Sequence, residues 1–296
     1  MPIRIEVLEI FELLEYGFMQ RAFAAGLMVA VLCPTIGIFI VLRRLSMIGE
    51  MFSHVSLAGV ALGVLSGVYP LATAVGLSLF AAAGLEVLRR TYRMFGDLAI
   101  ACMVSFGISL AVVLISLAQA FNLAIFFYLF GSVIAITGQD LQLILILGIL
   151  VLALVYALQK ELFIIAFDEE GARAAGVRVD LVNALFVVAT ALTITLSMRV
   201  VGILLVSSLI TVPVAAALQL SRSFRATACY AYLFAMISVL LGLFIAFHAD
   251  LAPGGSIVLT SLGIFAIAAL SRKFLGIGGE RDEGTRIIGT AEGKGL

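Results

Sequence analysis

Long apolar runs separated by short polar breaks dominate the chain, and their length sets the first reading. About 20 residues of helix cross the roughly 30 Å of hydrocarbon in a bilayer. Runs of that order lie at 18–42, 51–69, 71–88, 98–118, 141–158, 181–198, 200–218, 226–247 and 256–271. They predict an all-α polytopic membrane protein with about nine transmembrane helices, eight or ten being the alternatives. Between the fourth and fifth, residues 121–136 are apolar but short and carry Asn122, Gly131 and Ser132, which predicts an interfacial or re-entrant piece. Pro213, with Gly202 eleven residues earlier, predicts a break in the seventh span. Irregular backbone is tolerated there only if it faces protein or a cavity.

The polar remainder defines three regions. Residues 1–17 alternate apolar and acidic in a helical manner, which predicts an N-terminal amphipathic segment at the interface. Its Glu6, Glu9, Glu12 and Glu15 do not make the basic start of a cleavable signal peptide. The membrane domain runs over 18–273, with a polar connection at 159–180. The Gly-rich, charged stretch 274–296 is expected to be a disordered tail.

Composition agrees with the runs. Of 296 residues 63% are hydrophobic and 12% charged, against about 25% charged in soluble domains, and the mean hydropathy is +1.23. Net charge is zero, so nothing points to a nucleic-acid partner. Cys33, Cys102 and Cys229 lie in apolar runs without CxxC spacing and read as small hydrophobes. Lys and Arg are strongly one-sided. If the loop at 43–50 is cytoplasmic, fifteen of the eighteen basic residues fall inside, and only Arg4, Arg21 and Arg199 stay outside. By the positive-inside rule the N-terminus is then external and the C-terminus cytoplasmic.

Chemistry is concentrated in few places. Glu50 and His54 stand four apart, on one helix face, and ionisable side chains in an apolar run mark a functional site by default. Two readings stand. Glu50 can simply complement the helix dipole in the first turn, with His54 satisfied by hydrogen bonds. Alternatively the pair binds a divalent metal: imidazole suits zinc and other transition metals, and carboxylate extends the range to manganese. A symmetric dimer would bring together two of each, the four ligands zinc prefers. A transit site must also release its ion, so incomplete coordination is expected.

His248 and Asp250, at the outer end of the eighth span, read either as an outer metal site or as ordinary loop residues. Asp140 reads as a cap of the fifth span. Gly59, Gly63 and Gly67 form a small-residue face for close helix packing. Residues Phe167-Asp168-Glu169-Glu170 through Arg173 to Gly176 predict a short helix with acids at its start and a glycine cap. It is either a docking surface or a solvated connector. There is no G-x-x-x-x-G-K-[ST] phosphate loop and no HExxH. No span carries the several charges expected of a self-sufficient carrier, and an enzyme reading lacks an assembled nucleophile–base set.

Several stretches carry a resemblance. They are Ile36-Gly37-x-Phe39-x-Val41-Leu42-Arg43-Arg44-x-Ser46 leading into Gly49-Glu50-x-x-Ser53-His54, then Leu57-Ala58-Gly59-Val60-Ala61, and Tyr128-Leu129-Phe130-Gly131. Next come Phe167-Asp168 with Gly176, Val201-Gly202-Ile203-Leu204-Leu205 running to Pro213-Val214-Ala215-Ala216, and Pro253-Gly254-Gly255-Ser256-Ile257-Val258. In this order, from about Phe18 to Lys273, the chain resembles the permease subunits of zinc/manganese/iron ABC importers, and most closely bacterial zinc permeases.

The resemblance implies a type II-like ABC importer permease in the bacterial plasma membrane, working as a homodimer. Its implied partners are a cytoplasmic ATPase that holds the ATP and an extracytoplasmic metal-binding protein. It implies no permanent cofactor, only transported metal: Zn²⁺, with Mn²⁺ or Fe²⁺ as alternatives. The rival reading is a self-sufficient secondary metal carrier. The resemblance places Glu50 and His54 on the metal pathway, and Phe167, Asp168, Glu169, Arg173 and Gly176 in the element that couples to the ATPase. Two departures stand out. The family more often has Asp where Glu50 stands, so the carboxylate here sits one methylene farther out. It often has Asp or Asn at Ser132, where no ligand is assigned.

Overall fold

In hydrocarbon every backbone polar group must be satisfied within the segment, so each apolar run becomes a helix. The computed structural model describes residues 17–91, 96–118, 123–132 and 135–274. The N-terminal amphipathic segment at 1–17 and the tail at 274–296 lie almost wholly outside the described residues. The described helices are α1 (Gly17–Leu42), α2 (Met47–Ser66), α3 (Pro70–Thr91), α4 (Gly96–Leu117), α5 (Leu123–Phe130) and α6 (Gly138–Ala157). They continue with α7 (Gln159–Phe167), α8 (Glu169–Ala174), α9 (Val179–Val201), α10 (Val206–Leu220), α11 (Phe224–His248) and α12 (Pro253–Phe274). Among them, eight are long and apolar enough to cross a membrane. The protein is an all-α polytopic membrane protein.

The seventh pass differs from the sequence expectation. A single span at 200–218 is not present: α9 runs on to Val201, stops at Gly202, and α10 begins only at Val206. The break is at Gly202, whose φ of 88° is left-handed backbone that favours glycine. Pro213 does not break anything and lies inside α10. Fifteen residues of helix make about 22 Å, which with the irregular 202–205 carries the chain from one end of the bundle to the other.

The ends are fixed by contacts. Arg199 at the end of α9 reaches Asp140 at the start of α6, and Tyr69, just before α3, donates to the same Asp140. Gly254, at the start of α12, packs on the Val201 carbonyl. These termini therefore share one end, called here the proximal end. Arg43 meets Glu169 at the opposite, distal end. Because α9 ends proximally and α11 must start distally, α10 completes a ninth pass.

The most central helix is α9, with 78% of its most apolar stretch buried, against 22% for the peripheral α4. Close to the middle, three hydroxyls lock α2, α3 and α9 together. Ser56 Oγ lies 3.0 Å from Ser78 Oγ and 2.8 Å from Thr195 Oγ1, and Thr195 also donates to the Ala191 carbonyl at 2.8 Å. Such interhelical hydroxyl bonds hold helices together where lipid supplies no hydrophobic drive. Gly59 and Gly63 do the same by bringing α2 against α3, Gly59 onto the Ala74 backbone and Gly63 onto Pro70 and Thr73. Gly67 does not extend that face. It lies beyond the helix as the C-cap, with φ of 68° and its N–H bonded to the Gly63 carbonyl.

Candidate metal pathway and coupling elements

Met47 starts α2, so Glu50 falls in its first turn and His54 one turn further. His54 Nε2 and Glu50 Oε1 lie 4.0 Å apart, with Glu50 53% exposed and His54 22%. That separation is too long for a hydrogen bond and about 0.6 Å wider than the roughly 3.4 Å between two donors on a tetrahedral zinc ion, a gap that side-chain rotation on one helix turn can close. The helix carrying them is clamped on two sides. A Cβ on Gly49 would come within 3.0 Å of Ser207 Oγ of α10, and one on Gly107 of α4 within 3.1 Å of the Val55 backbone nitrogen. Ser53, between the pair, turns its hydroxyl back to the Gly49 carbonyl at 2.8 Å. The pair's position is thus set by α4 and α10 packing on α2. Among the described residues no group of three His, Cys, Asp or Glu comes together. One chain therefore offers two donors here, half the set of a tetrahedral zinc site.

The distal end carries the short helix expected between the fifth and sixth passes. Asp168 caps α8 by accepting from the Gly171 N–H at 2.8 Å. At the other end the Val177 N–H bonds the Ala172 carbonyl at 3.0 Å and the Gly176 N–H that of Arg173 at 3.1 Å. With Gly176 at φ 86°, this is a Schellman termination. Arg173 is held by Asp180, Nη2 to Oδ1 at 3.0 Å and Nη1 to Oδ2 at 3.4 Å. That bond with Asp180 raises the Arg173 pKa. Phe167 is 67% exposed and packs on Phe163 at 4.8 Å between ring centroids. Glu169 bridges two arginines, Arg173 at 3.6 Å and Arg43 at 3.9 Å. Burial first, and then the Arg89 cation, lower the Arg43 pKa, with Glu169 opposing. A charged contact therefore links α8 to the α1–α2 turn, and Glu50 lies seven residues beyond Arg43.

At the proximal end three of the resemblance stretches meet in space. The Ile203 and Leu204 N–H groups donate to the Tyr128 and Leu129 carbonyls at 2.9 and 3.4 Å. Gly131, Gly202 and Gly254 let these backbones touch, and a Cβ on any of them would overlap main-chain atoms of the others' segments. Beside this contact lies a buried ion pair. Arg199 Nε and Nη2 reach Asp140 Oδ2 at 3.0 and 2.9 Å, and Nη2 also reaches the Ala135 carbonyl at 2.7 Å. The Thr137 N–H and hydroxyl donate to Asp140 Oδ2, both at 2.8 Å, closing a capping box. Arg199 lies over the Tyr128 ring, 4.5 Å from its centroid. Burial, and then Asp140, push the Tyr69 phenol up.

Asp140 thus caps α6 as its sequence suggests, but its partners Arg199 and Tyr69 escaped the sequence reading. The available signal was one acid and one base, each isolated in apolar surroundings and each at an outer span end. His248 and Asp250 are both exposed at this end. The His248 ring packs on Phe244 at 4.2 Å, with Nδ1 3.0 Å from the Phe244 carbonyl. Asp250, with φ of 52°, ends α11 as the Leu251 N–H bonds the Ala246 carbonyl. Ser132 is buried and accepts from the Ala135 N–H at 3.3 Å.

Comparison with known proteins fits this arrangement. Residues 15–272 match the family described as ABC 3 transport family. The "Probable metal transport system membrane protein" of Treponema pallidum is 37% identical over 257 residues, covering 86% of this chain and 96% of that protein. A manganese transport system membrane protein, MntC of Halalkalibacterium halodurans, is 30% identical over 87% of this chain and 88% of its own. The high-affinity zinc uptake system membrane protein ZnuB of Haemophilus influenzae is also 30% identical, over 86% of this chain and 97% of its own. Among solved structures, PsaBC from Streptococcus pneumoniae in complex with Fab superposes with a TM-score of 0.79 at 30% identity. It covers 90% of this chain and 98% of that chain. The relatives are named for manganese and for zinc, so kinship alone fixes a transported metal and not which one. The chain belongs to the ABC 3 transport family, as the membrane permease subunit of a metal importer of the ABC type.

Proposed function

We propose that this permease imports Zn²⁺, using the Glu50–His54 pair of each of two copies as a shared transit site. The observation that carries the reading is the isolated pair itself: two donors 4.0 Å apart on one helix face, with no third ligand gathered around them among the described residues. Doubling by a two-fold axis gives two imidazoles and two carboxylates, which matches zinc in number and in donor type. Manganese prefers a more oxygen-rich, octahedral shell, and is the second reading because a manganese system stands among the relatives. Glu50 in place of Asp carries the carboxylate on a longer, more flexible arm.

In this account the distal end is cytoplasmic, as the basic residues there favour, and the C-terminus lies inside. An extracytoplasmic metal-binding protein delivers the ion to the proximal face, where exposed His248 and Asp250 offer a first contact. A cytoplasmic ATPase docks on α8 through Phe167, Asp168, Glu169 and Arg173, with Gly176 ending the helix. Its movement reaches the transit site through Glu169 and Arg43, which joins α8 to the turn preceding α2. Changing the tilt of α2 alters the spacing of the two ligand pairs, so the ion is held in one state and released in the other.

The test is uptake of radioactive zinc, manganese and iron by cells that carry this permease with its ATPase as their sole importer. Saturable zinc uptake, competed weakly by manganese and lost when ATP hydrolysis is blocked, is expected. Preferential manganese uptake would move the reading to that metal, and uptake without an ATPase would contradict it.

A further inference from the structure

A groove of about 670 Å³ opens on the perimeter of the bundle, away from Glu50 and His54. Its walls are the second half of α1, the last turns of α6 and the first turns of α11. The volume is that of a ligand pocket. It extends over about nine residues of each flanking helix, roughly 13 Å at 1.5 Å per residue. The mean cross-section is therefore roughly 50 Å², about 8 Å across, narrower than the 10–12 Å of an α-helix with its side chains. Acyl chains fit that width and can lie along the open side of the groove. Neither water nor vacuum is an acceptable filling for an apolar slot facing hydrocarbon.

The walls are satisfied and apolar. The one polar pair inside, Thr35 and Tyr232, is closed within the protein: Thr35 donates to the Val31 carbonyl at 2.7 Å, leaving Tyr232 to donate to Thr35 Oγ1 at 3.0 Å. The polarity is at one mouth. Gln159 and Arg225 line the groove there, Lys160 is next to Gln159, and Arg222 precedes Arg225 by three residues. All four are exposed, and the three cations make no hydrogen bond or ion pair with the described residues. One acid, Glu161, stands beside these three cations, so the rim is net positive even with its carboxylate counted.

We propose that this groove is a binding site for a phospholipid with an anionic headgroup. The acyl chains lie along α1 and α11, and the phosphate meets Arg225, with the Gln159 amide as a second donor and Lys160 and Arg222 adding to the field. Basic residues beside a membrane surface contribute to anionic-lipid binding individually, and here they stand at the mouth of a slot of acyl width.

Native mass spectrometry of the full-length chain in mild detergent, titrated with phosphatidylglycerol or phosphatidylcholine, tests this. Phosphatidylglycerol should bind more than about fivefold more tightly than phosphatidylcholine, and Arg225→Gln should cut that preference about fivefold, the worth of one surface cation, with Lys160 and Arg222 retaining the rest. Ala228→Phe, which fills the groove, should abolish binding of both, and inorganic phosphate should not compete. Cys229 lines the same groove and is exposed. With Cys33 and Cys102 replaced, phosphatidylglycerol should slow its reaction with a maleimide, an arm that does not depend on the Ala228 variant folding. Equal binding of the two lipids, no effect of Arg225→Gln, or displacement by phosphate alone would overturn the proposal. So would oxidative cross-linking of two copies through Cys229, which would make the groove a contact between chains.

Discussion

Arg199 and Asp140 form a buried ion pair, 2.9 Å from Nη2 to Oδ2, between the end of the central helix and the start of α6. Asp140 is fully buried and the Arg199 side chain 9% exposed, so neither charge can turn to solvent if its partner is lost. Truncating one partner of such a pair typically costs about 3–5 kcal/mol, whereas replacing both by apolar groups of similar volume is often near neutral. Asp140→Leu and Arg199→Met should each lower the thermal stability of the purified permease markedly, because each leaves one buried charge unpaired. Asp140→Leu with Arg199→Met should be closer to wild type than either single change. Additive losses in that double-mutant cycle would show that the pair is not coupled.

The contact from Glu169 to Arg43 makes a separate prediction about coupling. Glu169→Lys places like charge against both Arg43 and Arg173, yet touches neither Glu50 nor His54. Zinc uptake should fall at least tenfold, while the basal ATP hydrolysis of the reconstituted complex continues without stimulation by the metal-loaded binding protein. Arg43→Glu combined with Glu169→Lys restores opposite charge and should recover part of the uptake. Full metal-stimulated hydrolysis in the Glu169→Lys variant would remove this contact from the transmission route.

Sidedness is open to direct labelling. Ala249, at the proximal end, and Ala175, just after α8, are both exposed. In a background lacking Cys33, Cys102 and Cys229, a cysteine at 249 should react with an impermeant thiol reagent added to intact cells. One at 175 should react only after permeabilisation. The reverse pattern would invert the orientation and separate α8 from any cytoplasmic ATPase.

The passes were legible because hydrocarbon demands long apolar helices, whatever the partners. What escaped the sequence depends on three-dimensional neighbours. Pro213 looked like the break because proline lacks an N–H, but a buried helix flanked by others tolerates it, and the backbone of Gly202 is what stops α9. Gly67 continued the four-residue spacing of Gly59 and Gly63 and yet serves as a cap, since spacing does not reveal where a helix ends. Asp140 and Arg199 are 59 residues apart, and Arg43 and Glu169 still farther, so no local pattern links them. Glu50 and His54 were visible because both partners sit on one helix turn.

The central claim is that two Glu50–His54 pairs share one ion, and metal stoichiometry with X-ray absorption on the purified permease tests it most directly. One zinc per two chains is predicted, bound by four light donors of which two are imidazoles. Glu50→Gln and His54→Ala should each lose that metal and abolish uptake while the chains still assemble in pairs. One zinc per chain, or zinc held unchanged by the His54→Ala protein, would contradict the account.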